Sequence, residues 1–379
     1  MLPKKIILIG TIASSFYGFR ADLIHILLKK GHQVYAFTSE YTTEDLMKIE
    51  KLGAIPVTYT LDRGGLNPLA DIVSTYKLAK KIQKIKPDLV FSYFSKPVIF
   101  GTIAAKLARV PQVIGMLEGL GYTFTEQPEG LSKKIQFIKK VQVLLYKIAL
   151  PQLNKLIFLN SDDPKDLLEQ HLIKVKNVEV LGGIGLNLDD YPYEPIDNVS
   201  HPIKFLFIGR LLKEKGIYDF VDAAKIVKQK YSNASFIVLG GIDKSNLGAL
   251  KEEELEDLIN SDIIDYPGQV NNVSDWIARS HVFVLPSYRE GFPRSTQEAM
   301  AVGRPIITTN VPGCRETVAD GVNGFLVPKW NAEALAQKMI YLIEHSEVIP
   351  RMGMESYKIA KSNFDANKVN EKLLGFLKL

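Results

Sequence analysis

The chain has 379 residues, 46% hydrophobic and 23% charged, with a formal net charge of +5. That length exceeds one ordinary core and predicts two domains in a globular protein. One cysteine, Cys314, excludes an internal disulfide framework and a thiolate-rich metal site, and it fits a reducing compartment. No apolar run reaches the ~18 residues of a membrane-spanning helix.

Charge is divided unevenly along the chain. Residues 1–150 carry 21 Lys/Arg against 11 Asp/Glu, and residues 151–379 carry 26 against 31. The first part therefore predicts an anionic partner. No nucleic-acid motif accompanies the basic residues, and no nucleic-acid partner is expected.

Lys4-Lys5 before Ile6–Gly10 has the opening of a signal peptide, but the run meets Ser14, Ser15, Tyr17 and Arg20 without a cleavage pattern. It reads instead as a first buried strand and a loop. Further strands are expected at Gln33–Phe37, Leu89–Phe91, Gln112–Met116 and Lys155–Leu159, with helices around Ala21–Lys30, Ala70–Lys84 and Gly101–Ala108. In residues 131–150, Ile135, Ile138, Val141, Leu145 and Ile148 recur at helical spacing. Lys133, Lys134, Lys140 and Lys147 lie largely off that stripe, and Phe137 and Leu144 widen it. Such a helix suits either an anionic bilayer surface or ordinary packing on a sheet.

Turn residues and charge fill Gly182–Pro195 and predict a linker. The alternation then restarts, with strands at Ile203–Ile208 and Ser235–Leu239 and helices at Tyr218–Lys230 and Lys251–Ser261. Two α/β sheets facing across a cleft are the expected architecture. Between the first strand and first helix of this second part lies Gly209-Arg-Leu-Leu-Lys-Glu-Lys-Gly216. Arg210 offers a planar fork and Lys215 a compact charge, a pairing that suits a diphosphate.

The apolar runs His281–Pro286 and Arg304–Thr309 are the last strands expected, and between them lies Arg289-Glu-Gly-Phe-Pro-Arg-Ser-Thr-Gln-Glu-Ala-Met300. Gly291 and Pro293 break regular structure, and a helix opens at Ser295. Glu298 can complete a Ser-x-x-Glu capping box or contact a ligand, and Glu290 stands in the loop before it. With the Arg/Lys loop, these carboxylates describe a nucleotide-diphosphate site, in which acids take sugar hydroxyls and cations take the diphosphate.

The segments GRLLKEKG, YREGFPRSTQEAMAVGRPII and PGCRETVADGVNGFLV resemble the retaining glycosyltransferases of family four, with the GT-B fold. The resemblance spans nearly the whole chain. It implies that Glu298 binds the donor ribose, Glu290 the transferred sugar, and Arg210 and Lys215 the diphosphate. Gly291, Phe292, Pro293 and Arg294 would complete the donor loop, and the loop at Gly268-Gln-Val270 would meet the base. It also implies an acceptor domain over 1–185, a nucleotide-sugar domain over 186–362, and a last helix (363–379) returning to the first domain. Retention of configuration is implied by the resemblance, as is transfer without metal or other cofactor. The absence of an Asp-x-Asp motif agrees with metal independence.

ASSFYGFR, DRGGLNPL, FSKPVIFGTIAAKLARVP and LEGLGYTF are similar to the bacterial subgroup that builds polyprenyl-diphosphate-linked glycans. This implies a UDP-sugar donor, an N-acetylhexosamine for transfer, a polyprenyl-diphosphate-linked acceptor, and a cytoplasmic enzyme held peripherally at the inner face of the membrane through residues 131–150. Two departures stand out. Glu118 occupies a position where many members carry histidine, and its carboxylate either accepts a hydroxyl or braces the Gly119/Gly121 turn. Ala13–Arg20 replaces a glycine-rich loop, which makes Ser15, Tyr17 and Arg20 candidate substrate contacts. A nicotinamide dehydrogenase is excluded by the lack of Gly-x-Gly-x-x-Gly after a strand. A nucleotide-sugar 2-epimerase of the same fold and a noncatalytic sugar-nucleotide sensor stay as alternatives.

Overall fold

A computed structural model of the chain describes residues 2–61, 68–197, 199, 201–243 and 248–379. Most of the DRGGLNPL segment, residues 62–67, lies outside the described residues. The chain forms two compact units. One comprises Met1–Phe124, Ser132–Ile184 and Asn367–Leu379; the other comprises Thr125–Leu131 and Gly185–Ala366.

The first unit is built on a seven-stranded parallel sheet, in the order β3-β2-β1-β4-β5-β6-β7. Its strands are β1 (Lys5–Ile9), β2 (Gln33–Thr38), β3 (Ile55–Thr58), β4 (Leu89–Tyr93), β5 (Gln112–Leu117), β6 (Lys155–Phe158) and β7 (Val178–Val180). The intervening helices are α1 (Ser14–Phe19), α2 (Ala21–Lys29), α3 (Thr43–Lys51), α4 (Pro68–Ile85), α5 (Thr102–Leu107), α6 (Lys133–Ala149) and α7 (Asp162–Pro164). A π turn at Pro97–Gly101 leads into α5. Strands β1 and β4 are almost wholly buried, as expected of parallel strands covered on both faces. Helix α3 opens with a capping box between Thr42 and Asp45, and Ser132 caps α6.

The second unit carries a six-stranded parallel sheet, β10-β9-β8-β11-β12-β13. Its strands are β8 (Lys204–Ile208), β9 (Ser235–Leu239), β10 (Asp265–Gly268), β11 (Val282–Leu285), β12 (Ile306–Thr309) and β13 (Gly324–Val327). Helices α8 (Ile217–Lys230), α9 (Glu252–Asn260), α10 (Val273–Ala278), α11 (Arg294–Val302), α12 (Ala332–Glu344) and α13 (Ile349–Asn363) accompany it, and α14 (Ala366–Leu377) closes the chain. The core centres on Phe205 stacked on Phe236 at 5.3 Å, with Phe220 edge-on to the latter. Each sheet reverses order beside its first strand, the place where α/β sheets bind ligands at their carboxyl edges.

The expected linker is more ordered than its turn residues suggested. Leu186 bridges Asp365, and Leu188–Asp190 forms a 3₁₀ turn capped by the Asn187 side chain. On α6 the buried line is Val143, Tyr146 and Ala149, while Ile135, Ile138, Val141 and Leu145 are half-buried and Ile148 is exposed. The helix is thus rotated relative to the stripe read from sequence. Among the described residues, no helix is long and apolar enough to cross a membrane.

Candidate functional site

In the second unit, the carboxyl ends of β8 and β9 approach so closely that a Cβ on Gly240 would lie 1.9 Å from the Gly209 carbonyl oxygen. Gly240, at φ +139°, permits that approach. A cavity of about 470 Å³ opens there, lined by Gly209, Arg210, Gly240, Gly241, Gln269 and Val270 among others. At its edge Arg210 Nη1 donates to Asp243 Oδ2 at 2.9 Å. The candidate base contact Val270 and the candidate diphosphate contact Arg210 therefore share one pocket.

Lys215 ends a 3₁₀ turn closed by Gly216 in the left-handed conformation. A Cβ on Gly216 would stand 2.1 Å from the Pro286 carbonyl oxygen, so this loop lies directly against the end of β11. Lys215 Nζ meets Glu290 Oε1 at 2.5 Å, and Ser287 Oγ donates to the same oxygen at 2.7 Å. The Glu290 backbone N–H donates to the Pro312 carbonyl at 3.0 Å. Two residues 75 positions apart are joined by the loops that follow β8 and β11.

Glu298 lies in α11, whose N-cap is Pro293 with no side-chain cap. The capping-box reading is thereby overturned. The helix begins one residue earlier than expected, so Ser295 is not at the cap and Glu298 lies two residues beyond the third helical position, Thr296, from which a side chain closes a box. Its Oε1 instead accepts Arg294 Nε at 2.9 Å and the Tyr191 hydroxyl at 2.8 Å. Burial pushes the Glu298 carboxyl upward, and the Arg294 charge and the two donors oppose that shift. Gly291 and Pro293 are buried within the turn, and the Phe292 ring packs edge-on against Phe364 at 5.4 Å. Behind the loop the Cys314 thiol is pushed up to about 12 by burial and the nearby Glu290 charge, which leaves it an inert packing group.

The first unit gathers a second cluster at the carboxyl edges of β1, β4 and β5. Arg20, between α1 and α2, is buried and forms an ion pair with Glu118, which follows β5. The Arg20 guanidinium also lies 5.1 Å from the Tyr93 ring centroid. Ser15 Oγ donates to the Ile12 carbonyl at 2.6 Å and shares a 3.0 Å hydrogen bond with the Tyr93 hydroxyl. Ser15, Arg20 and Glu118 thus meet around Tyr93, while Tyr17 turns to α3 and donates to Asp45 at 2.9 Å.

Tyr93, Tyr191, Asp243 and Ser287 were not singled out in the sequence. Tyr191 and Asp243 sit in segments rich in turn and charged residues, where nothing in the local pattern marks a side chain as a partner for a distant one. Ser287 carried a weak signal, since it directly follows an apolar strand at the edge where ligands bind.

Two family descriptions cover most of the chain: group 1 glycosyl transferases match residues 194–359, and the glycosyl transferase 4-like family matches residues 5–160. The N,N'-diacetylbacillosaminyl-diphospho-undecaprenol alpha-1,3-N-acetylgalactosaminyltransferase of Campylobacter jejuni is 28% identical over 348 residues, 88% of each chain. A capsular polysaccharide biosynthesis glycosyltransferase of Staphylococcus aureus is 26% identical over 98% of this chain and 96% of its own. Among solved structures, Anabaena HepE in complex with UDP and glucose superposes with a TM-score of 0.76 at 19% identity, over 99% of both chains. With matches in each half and a GT-B architecture throughout, the chain belongs to the GT-B glycosyltransferases, its first half of the 4-like type and its second of group 1.

Proposed function

We propose that the enzyme moves a sugar, an N-acetylhexosamine, from a UDP-sugar to a polyprenyl-diphosphate-linked glycan, with retention and without a metal. The observation that carries this reading is the Lys215–Glu290–Ser287 constellation in the unit that also holds Arg210 and the 470 Å³ cavity. The cavity suits a nucleobase, and Arg210 and Lys215 suit the diphosphate. Lys215 and Ser287 both donate to Glu290 Oε1 and so orient its carboxylate, which in this reading faces the transferred sugar. Glu298, oriented by Tyr191 and Arg294, takes the ribose hydroxyls.

In the reaction the bond between the anomeric carbon and the diphosphate oxygen breaks, and its electron pair stays on the diphosphate. The acceptor hydroxyl oxygen bonds to the same face of that carbon and passes its proton to the departing phosphate oxygen. Negative charge grows on the leaving group, so preformed cations stabilise the transition state more than the ground state. In the same reading Glu118, half-buried and paired with buried Arg20, receives an acceptor hydroxyl.

The names of the relatives support this choice of substrates, since they include undecaprenyl-diphosphate-linked acceptors and a UDP-Gal donor. Peripheral attachment through α6 belongs to the same reading. Phe137, Leu144 and Ile148 are each more than half exposed along one side of the helix, and Lys133, Lys134, Lys140 and Lys147 are exposed around them. Such a face suits an anionic bilayer. The deciding experiment follows UDP release from UDP-N-acetylhexosamines with and without a polyprenyl-diphosphate-linked acetamido sugar. Release that requires the acceptor supports transfer. Acceptor-independent turnover points to an epimerase or hydrolase, and binding without turnover to a sensor.

A further inference from the structure

We infer that α4 presents a second membrane contact, so that an anionic bilayer is met by two helices on one face of the first unit. This rests on the reading that α6 lies against such a surface. The α4 side toward the protein is Asp71, Thr75, Leu78, Ala79 and Ile82, all buried. On the opposite side Ile72, Val73 and Tyr76 are each more than half exposed. Single exposed apolar residues are ordinary, but three on adjacent turns of one helix make a patch. The patch continues into charge along the same helix. Ile72, Tyr76 and Lys80 follow at four-residue spacing, with Lys77 and Lys84 beside them, and Lys80 Nζ stands 4.7 Å from the Tyr76 ring centroid. Apolar residues at one end and ammonium groups along the rest suit acyl chains and anionic headgroups respectively.

Connectivity puts α4 with α6. The crossovers β3-α4-β4, β4-α5-β5 and β5-α6-β6 all advance in one direction across the sheet, and right-handed crossovers in one direction place their helices on one face. Both α4 and α6 touch the π turn at Pro97–Gly101, and α4 also packs on α5. Together α4 and α6 contain nine lysines against one aspartate, the buried Asp71. They hold most of the positive excess of residues 1–150. Charge complementarity therefore commits this face to an anionic surface, and the exposed apolar residues on both helices favour a bilayer over a nucleic acid.

The test is co-sedimentation of the full-length protein with phosphatidylcholine vesicles containing or lacking phosphatidylglycerol. Three variants are compared with the parent: Ile72→Ser with Tyr76→Ser; Lys77→Gln with Lys80→Gln and Lys84→Gln; and, on α6, Lys133, Lys134, Lys140 and Lys147→Gln. Every position is exposed, and unchanged melting temperatures check the fold. Each α4 variant should weaken binding to anionic vesicles at least fivefold with α6 intact, since one surface lysine contributes roughly fivefold. Loss in the α6 variant with parental binding in both α4 variants would overturn the α4 contact and leave the α6 reading in place. Loss in the α4 variants with none in the α6 variant would do the reverse. Competition by soluble glycerol phosphate at equal headgroup concentration would show a discrete phosphate site and overturn the inference, as would tighter binding to RNA than to vesicles.

Discussion

Glu290 and Glu298 share a loop and a helix, yet their partners divide them. Glu290 is joined to Lys215 and Ser287, whereas Glu298 is joined to Tyr191 and Arg294. As a ribose ligand Glu298 needs a carboxylate, because an amide cannot accept two charged or polar donors and two hydroxyls equally well. Glu298→Gln should lower UDP affinity by roughly tenfold or more, from ~1.5–3 kcal/mol per charged hydrogen bond. Glu290→Gln should spare UDP and weaken the intact UDP-sugar. Calorimetric titration of both variants with both ligands decides this; equal losses for the two ligands at Glu290, or none at Glu298, would sink the assignment. Lys215→Ala should cost about two decades in turnover and much less in donor affinity, because the charge it meets grows during the reaction. Turnover within a few-fold of the parent would remove Lys215 from the leaving-group role. The two carboxylates and the two cations were legible as residue types at a strand edge. Their partners were not, because Tyr191 and Glu298 are 107 residues apart and only the fold brings them together.

At the scale of elements, helix ends explain what sequence spacing misread. The start of α11 at Arg294 follows from Pro293, which favours the extended entry seen at the N-cap (φ −69°, ψ 120°). On α6, Lys139 stands 4.3 Å from the Phe124 ring centroid and not among the lysines of the exposed face. A membrane role for α6 therefore draws on Lys133, Lys134, Lys140 and Lys147. The end of α10 is held by a residue well outside it. Buried Arg304 donates to the carbonyls of Ile277 and Ala278, and also to those of Glu194 and Gly303. Burial lowers its pKa to about 10, so the guanidinium stays charged at neutral pH. Arg304→Lys keeps the charge and loses the fork that reaches several carbonyls at once. It should destabilise the protein by ~2–4 kcal/mol, counting one or two lost charged hydrogen bonds. Urea denaturation measures this, and a midpoint unchanged from the parent would show that the carbonyls find other donors.

Over the whole molecule, legibility followed burial. The nine interior strands of the two sheets were each apparent as apolar runs, because parallel strands covered on both faces must be continuously apolar. The four edge strands, β3, β7, β10 and β13, were not. Asp265-Tyr-Pro-Gly268 carries a proline and a glycine that an edge tolerates and a centre does not, and Phe325–Val327 is too short a run to stand out. The sheets also share a device that spacing could not reveal. Just before β2, His32 Nδ1 accepts the Lys4 backbone N–H at 3.2 Å; just before β11, His281 Nδ1 accepts the Lys204 backbone N–H at 3.0 Å. Each bond requires a neutral imidazole with its proton on Nε2. Burial, the largest cause in both, lowers the two pKa values, that of His281 to about 4. A histidine whose folded pKa lies below its unfolded value of ~6.5 contributes its full stability above that value. The contribution then falls as pH drops toward about 4, where folded His281 also takes up a proton. The protein should therefore lose stability between pH 6.5 and 4, and His281→Asn, whose side-chain oxygen accepts a hydrogen bond without titrating in this range, should flatten that decline. Urea midpoints measured at half-unit pH steps for parent and variant test it; parallel curves would assign the acid sensitivity to other groups.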